Sequence, residues 1–402
     1  MSNCVDNELY CSGCGVCFTV CPTNAISIDM NKDGFYSAKL DQNKCTNCEK
    51  CLKICTKFEI NYPKLKNFTE LPLYAGWSLD KTVQYETSSG GIGFEIAKWA
   101  INNNYKVAGV IYDVTEEQAK TVIATSLKEI ELLKGSKYLQ SFCADTFKQM
   151  INSKDKFVIF GTPCQIAGLR MLAKENKCEN RLILIDFFCH GVPTYLLWQS
   201  FLKWLKEKKN VNQIHNIQFR NKKYGWHNFT MQVKTQTQPY YLKTKNNPFY
   251  NLFFSDFLLN DECYLCKTKS SFDFADIRLG DFWGSAFDNR EDGISAISVC
   301  TNAGKNILDE LKTDKKIILL PKEHDICIKN QSSLKKSYSN PPYKEKQLLM
   351  NLLKNKIDIS KISKEYSKML PFKKRIFLII KRLIPNYAMI KFRKFYHCYK
   401  EN

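Results

Sequence analysis

Eight of the chain's 18 cysteines fall in two runs of one spacing within the first 55 residues. Cys11, Cys14, Cys17 and Cys21 read C-x2-C-x2-C-x3-C, with Pro22 next; Cys45, Cys48, Cys51 and Cys55 repeat the pattern 34 positions on. Thiols this dense, in a chain whose start (MSNCVDNELY) has no apolar signal core, read as metal ligands, because a reducing cytosol disfavours disulfides. Three cysteines at two-residue intervals on a tight loop converge on three corners of an iron–sulfur cube. The fourth, after a wider gap, leads away to the other cube. Spacing therefore assigns Cys11, Cys14, Cys17 and Cys55 to one [4Fe–4S] cluster, and Cys45, Cys48, Cys51 and Cys21 to a second. Zinc prefers paired C-x2-C knuckles of one or two ligands each, which runs of four do not match. Thr56 stands where a proline would complete the second run, a departure that touches the turn and not the ligands.

Four further cysteines are placed for chemistry. Cys164 in GTPC and Cys189 in FFCHG each follow an apolar run that reads as a parallel strand, and strand ends of that kind border the ligand crevice of an open α/β sheet. Cys263 and Cys266, spaced C-x2-C, complete a set of four thiolates for either a third cluster or a zinc half-site. Cys4, Cys143, Cys178, Cys300, Cys327 and Cys398 are isolated and read as packing residues. Ser88, Ser89, Gly90 and Gly91 precede a helix, so they form either a phosphate seat or an ordinary N-cap. His190 follows Cys189 and either lines the crevice or is structural. Lys137, Arg220 and Lys222 are candidate contacts for an anionic substrate or cofactor phosphate, with solvated surface as the alternative. Asp281 in GDFW is a crevice contact or a turn residue. No G-x-G-x-x-G fingerprint sits in a strand–helix context, which argues against a dinucleotide-binding dehydrogenase.

The elements that must hold these residues are legible in outline. AISID and FYSAKLD flank the turn MNKDG as a hairpin between the cysteine runs, and residues 61–73 read as a linker. TSSGG feeds the helix IGFEIAKWAINNN, then VAGVIYD and TVIATS read as strands, and LKEIELLKG as a short helix. FVIF leads into GTPC and a helix over 165–175; LILIDFFC leads into HGVP and the helix TYLLWQSFLKWLKEK. Buried strands alternating with helices imply a partly parallel sheet. IQFRNK, FTMQVKT and YYLKTK follow as strands, then a helix over 249–259, and IRLGDFW, ISAISV, GKNILDELK and IILLP close the domain.

The 402 residues carry 44% hydrophobic and 25% charged side chains, the balance of a folded globular protein of two or three domains. The formal charge is +20, and +12 of it falls between Pro341 and Asn402, which hold 16 basic and 4 acidic residues. Residues 371–399 mix those charges with Phe, Ile, Leu and Tyr. That pattern suits an anionic membrane surface better than nucleic acid, with a helix packed on its own protein as the alternative. No apolar run approaches the length of a spanning helix, so the expected location is cytoplasmic, with the tail at the inner membrane face if it binds lipid.

The ordered series YAGWSLDKTVQYETSSGG, KGSKYLQS, FGTPCQIAGL, FFCHGVP, FRNKKYGW, CYLC and ADIRLGDFWG, behind a dicluster N-terminus, resembles the family of coenzyme F420 hydrogenase/dehydrogenase beta subunits. The resemblance covers most of residues 1–325. It implies an α+β multidomain chain. A ferredoxin-like dicluster module (1–62) precedes an α/β flavoprotein domain with a partly parallel sheet, in two parts (72–150 and 151–330), and a basic helical tail (341–402) follows. It implies FAD held by Ser88, Ser89, Gly90, Gly91, Ser136, Lys137 and Tyr138, with Gly161 and Thr162 added to the contact set. It favours a third [4Fe–4S] cluster on Cys164, Cys189, Cys263 and Cys266, and leaves His190, Lys137 and Asp281 as catalytic candidates. The implied activity is an iron–sulfur flavin-dependent oxidoreductase, with ferredoxin or another redox partner and a small, anionic substrate, coenzyme F420 or another molecule. The alternative is an electron-delivery subunit, or a ferredoxin-dependent reductase of cell-surface polysaccharide biosynthesis that does not use coenzyme F420. The dicluster N-terminus and basic apolar tail look most like the latter members.

Overall fold

The computed structural model describes residues 3–5, 10–58, 66–331, 334, 341–372 and 375–376. Strands β1 (Ile26–Met30) and β2 (Tyr36–Leu40) pair antiparallel between the two cysteine runs. Each run enters a five-residue helix, Val16–Val20 and Lys50–Ile54, and the two helices pack together.

The chain then lays down β3 (Leu73–Ser78), β4 (Lys106–Asp113), β5 (Gln118–Ala124), β6 (Ser141–Phe142), β7 (Phe157–Phe160) and β8 (Leu182–Phe187). Next come β9 (Asn216–Asn221), β10 (Thr230–Lys234) and β11 (Pro239–Lys243), a separate three-stranded antiparallel sheet. Finally β12 (Ile277–Asp281), β13 (Ser295–Val299) and β14 (Ile317–Pro321) return to the first sheet, whose nine strands run β14-β3-β13-β12-β8-β7-β4-β5-β6. The centre β4-β7-β8-β12 is parallel; β13, β3 and β14 extend it antiparallel. Helices cover both faces, which is why FVIF and LILI are apolar without alternation. Val158, Ile183 and Ile185 face the helices Ile92–Asn102 and Asn302–Thr313, while Phe157, Ile159 and Leu184 face Ala144–Asn152 and Pro163–Glu175.

Several elements differ from the sequence reading. Leu73, read as the last linker residue, opens the strand Leu73–Ser78, where the sequence reading places no element; it lies between β13 and the edge strand β14. A six-residue helix, Lys81–Glu86, precedes the TSSGG loop, capped by Asp80 Oδ1 accepting from Thr82 and Val83 N–H. The helix expected over 249–259 spans only Pro248–Phe253, because the chain turns at Asp256 with φ +70°. The helix expected from residue 165 begins at Pro163, so Cys164 lies in its first turn.

The first part of the basic C-terminal stretch is packed. Helices Tyr343–Lys354 and Ile359–Met369 lay Leu349, Leu353, Ile362 and Tyr366 into the core that Trp198, Phe201 and Phe249 occupy. Lys346, inside this contact, donates to Leu259 C=O and pairs with Asp261, each at 2.7 Å. Apart from residues 371–372 and 375–376, the stretch expected to meet a membrane lies outside the described residues. Among the described residues no helix is long and apolar enough to cross a membrane.

Candidate functional site

The last thiol of each cysteine run lies with the first three of the other. One hollow is lined by Cys21, Cys45, Cys48 and Cys51, and a second by Cys11, Cys14, Cys17 and Cys55. Each therefore gathers three thiols of one run and the last thiol of the other, which is the donor set a [4Fe–4S] cube requires. Among the described residues no three His, Cys, Asp or Glu side chains close on a point fit for a single ion; a cube instead sets its four thiolates at separate corners. Cys4, read as an isolated packing residue, is not isolated. It lines the second cavity beside Val5, its N–H donates to Cys51 Sγ at 3.4 Å, and its thiol meets Cys17, Cys51 and Cys55. Two of its partners, Cys51 and Cys55, lie in the second run, and its spacing to Cys17 matches neither run, so no motif signal could reveal this.

The N-terminal module is seated on the larger domain. Gln140 accepts from Tyr36 N–H at 2.7 Å and donates to Ser12 C=O at 2.9 Å. Cys143 Sγ donates to Cys14 C=O at 3.3 Å, so this cysteine also borders the cluster region. Cys178, Cys300 and Cys327 are buried elsewhere in the core, and Cys398 lies outside the described residues. Gly168, on the helix that carries Cys164, lies against Val16 and Cys14. A Cβ there would stand 2.9 Å from Val16 and 3.4 Å from Cys14 Sγ. Only glycine permits that approach, and Cys164, one turn earlier on the same helix face, is thereby brought next to Cys14.

Cys164, Cys189, Cys263 and Cys266 converge. Burial raises the Cys164 thiol well above its ordinary value, and Cys266, Cys14 and Cys189 lie close enough to raise it further. Burial likewise pushes Cys263 up to about 12, with Cys189 and Cys266 adding to it. Crowded buried thiols disfavour the charged form unless a metal takes their charge. Lys269, unremarked in the sequence, donates to the backbone carbonyls of His190 at 3.0 Å and Cys263 at 2.8 Å. Burial disfavours its charge, but Cys263, Cys189 and Cys266 outweigh that and raise its ammonium pKa. Arg278 fixes the segment after Cys266: it donates to the carbonyls of Thr268, Lys269 and Ser271 while paired with Asp186 at 2.5 Å. Asn260, which caps the helix Asp261–Leu265 bearing Cys263, also donates to Cys11 C=O at 3.1 Å. Cys164 and the helix bearing Cys263 thus stand beside the N-terminal module, not apart from it.

The loops expected to hold a cofactor also meet. Ser136 N–H donates to Ser88 Oγ at 2.8 Å, joining TSSGG to KGSKY. Neither serine caps the following helix; its N-cap is Gly91 at φ +89°, without a side-chain cap. Ser89 Oγ donates to Ile294 C=O at 2.8 Å, and Gly90 N–H to Ser295 Oγ at 3.0 Å. Lys222, on the strand-end segment after β9, reaches under this loop and donates to the carbonyls of Gln84, Ser89 and Asp292. Burial lowers its pKa to about 7, with the Arg220 charge adding to this and the carboxylates of Asp281 and Asp292 opposing it. Lys137 folds back onto the carbonyls of Leu132, Leu133 and Lys134, closing the end of its own helix, and burial lowers it to about 7 as well. Thr162 Oγ1 contacts Cys164 Sγ at 3.2 Å, and Gly161 N–H donates to Ile185 C=O, so both lie at the strand ends beside the second cysteine set.

Aromatic rings bridge the two regions. His190 pairs with Asp256 at 2.7 Å and lies 5.1 Å from Phe253 and 5.7 Å from Phe254. Those rings lie 5.1 and 6.1 Å from Tyr138. Asp281 is engaged on both oxygens, by Arg220 and by Trp226 Nε1 at 2.9 Å.

Residues 154–325 match the family model for the C terminus of the beta subunit of coenzyme F420 hydrogenase/dehydrogenase, and residues 10–58 match a 4Fe-4S dicluster domain. The chain is 22% identical over 328 residues to the F subunit of the F(420)H(2) dehydrogenase of Methanosarcina mazei, covering 78% of this chain and 85% of that protein. A solved chain of the F420-reducing [NiFe] hydrogenase complex from Methanosarcina barkeri aligns over 77% of this chain and 97% of its own, with 17% identity and a TM-score of 0.46. The chain thus carries a match to a 4Fe-4S dicluster domain over residues 10–58 and, over residues 154–325, a domain similar to the C terminus of coenzyme F420 hydrogenase/dehydrogenase beta subunits.

Proposed function

We propose that this protein is an iron–sulfur flavoprotein oxidoreductase. It passes electrons between [4Fe–4S] clusters and FAD, and on to a small molecule that accepts or donates hydride, coenzyme F420 or another of that kind. The observation that carries the reading is the meeting of Cys164, Cys189, Cys263 and Cys266 between Cys14 on one side and the His190–Phe253–Tyr138 rings on the other. Clusters carry single electrons and a flavin exchanges one or two, so two electrons and one proton become one hydride.

The chain's own residues supply position and charge. Cys164, Cys189, Cys263 and Cys266 hold a third [4Fe–4S] cluster, with Lys269 as the adjacent positive charge. Gly168 keeps that set next to Cys14, so the N-terminal clusters have a short way inward. Ser88–Gly91 and Ser136–Tyr138 seat the FAD, with Gly161 and Thr162 at the strand ends beside it. His190, oriented by Asp256, is the group best placed to face a reacting ring, and Lys137 and Asp281 act through the loops and the arginine they hold.

The relatives' names describe parts of larger oxidoreductases, which supports a second reading as an electron-delivery subunit. Anaerobic turnover separates the two. Reconstituted protein with FAD and a reduced ferredoxin should convert coenzyme F420, or a nicotinamide offered in parallel. Protein that reduces only dyes until a partner protein is added would replace the first reading with the second.

A further inference from the structure

The Nε and Nη2 hydrogens of a guanidinium point the same way and form its side-on fork. Arg278 places that fork on both oxygens of Asp186, at 2.7 and 2.5 Å. Arg290 places it on both oxygens of Asp292, each at 2.8 Å, and Arg170 on Phe274 C=O and Asp276, each at 2.9 Å. Arg220 is held differently. Its Nη1 is ion-paired with Asp281, and its plane lies against Phe229 and Trp283, 4.4 and 5.3 Å from the ring centres. The side chain is only 4% exposed. Yet Nε and Nη2 are both buried, and among the described residues neither has a hydrogen-bond partner of good geometry. The Tyr138 hydroxyl approaches the guanidinium closely enough to help hold its charge, but it makes no well-aligned hydrogen bond to Nε or Nη2.

Buried donors left unmade are costly, and a charged pair especially so. The position of this one suggests what completes it. Arg220, on β9, and Lys222, just past its end, are two apart and share a face; Lys222 holds the Ser89 carbonyl, and Tyr138 follows Ser136, which is tied to Ser88. The flanking groups are rings, with Phe254 a further 6.4 Å from Phe229 and 42% exposed. Aromatic faces around two parallel donors suit a flat heterocycle with two adjacent acceptors better than a free phosphate.

We propose that the Nε–Nη2 fork of Arg220 is a two-point clamp for the pyrimidinedione edge of an isoalloxazine-type ring, donating one hydrogen bond to the ring N1 and one to the neighbouring C2 carbonyl. This deepens the function proposed above and rests on it. Flavin and deazaflavin share that edge, so the ring is either the resident FAD or the deazaflavin substrate.

Arg220→Lys keeps the charge and can still meet Asp281, but has no fork. Dissociation constants of FAD, and of coenzyme F420 with FAD saturating, are measured by fluorescence on anaerobically reconstituted full chain, with iron content and melting temperature as fold controls. The clamp predicts at least about tenfold weaker binding of one ring, the loss of one charge-assisted contact. Weaker FAD binding assigns the fork to the flavin; weaker coenzyme F420 binding alone assigns it to the substrate. Unchanged affinity for both rings overturns the clamp and leaves the oxidoreductase reading standing. A parent protein that binds neither ring overturns both. If Arg220→Lys loses iron or melts early, Arg220→Gln with Asp281→Asn, which removes both charges together, carries the same comparison.

Discussion

Asp186 and Arg278 are each 1% exposed, a buried charge pair beside the second cysteine set. Arg278→Met would leave Asp186 a buried carboxylate without its partner, a change that costs about 3–5 kcal/mol. The urea midpoint should fall accordingly, and Arg278→Met with Asp186→Leu should recover most of it. The double variant still lacks the bonds to Thr268, Lys269 and Ser271, so it should fold and yet hold less iron than the parent. Full iron content in the stable double variant would show that Arg278 does not position Cys266. Asp155 gives a pH dependence of known sign. Hydrogen bonds from Lys106 and Ser153 hold its carboxyl below the usual range. Its contribution is therefore complete above the unfolded value of about 3.9 and is lost as pH falls through the lower folded value. Asp155→Asn should melt earlier than the parent near neutral pH, and the gap should close as pH falls through the lowered folded value. A gap that widens on acidification contradicts this.

At the scale of elements, the helix Pro163–Glu175 couples two cysteine sets because Gly168 lets it lie on Val16 and Cys14. Gly168→Leu must push them apart, an overpacking of about 1–3 kcal/mol. Iron content should stay at the parent level, while stopped-flow transfer from the N-terminal clusters to any inner acceptor should slow at least several-fold. Unchanged transfer would place the path elsewhere. Local spacing made much of this legible: the β1–β2 hairpin and the β7 and β8 units leading to Cys164 and Cys189 all follow from residues close in sequence. What spacing could not show depends on distant partners. β3 is a strand because β13 and β14 flank it. Arg220 and Lys222 read as contacts for an anion or as solvated surface; the fold buries both, on Asp281 and on the carbonyls of Gln84 and Asp292. Cys4 joins the cluster module only through the fold.

The whole molecule carries a formal +20, counted with its thiols neutral; thiolate ligands offset part of it, and the remaining excess suits an acidic redox partner. The helices up to Met369 rest on the core, so removing residues 371–402 should leave the fold intact. If that stretch meets lipid, full-length protein should float with anionic vesicles at low salt, and the shortened chain should not. Equal recovery of both would assign the basic stretch another role. The central claim, that four cysteines from three separate segments hold a cluster between the dicluster module and the flavin loops, is tested most directly by counting iron. Anaerobically reconstituted protein should hold about twelve irons, three cubes of four, and Cys263→Ser with Cys266→Ser about eight, with FAD still bound. About eight irons in both proteins, or zinc in place of the last four, would contradict the account.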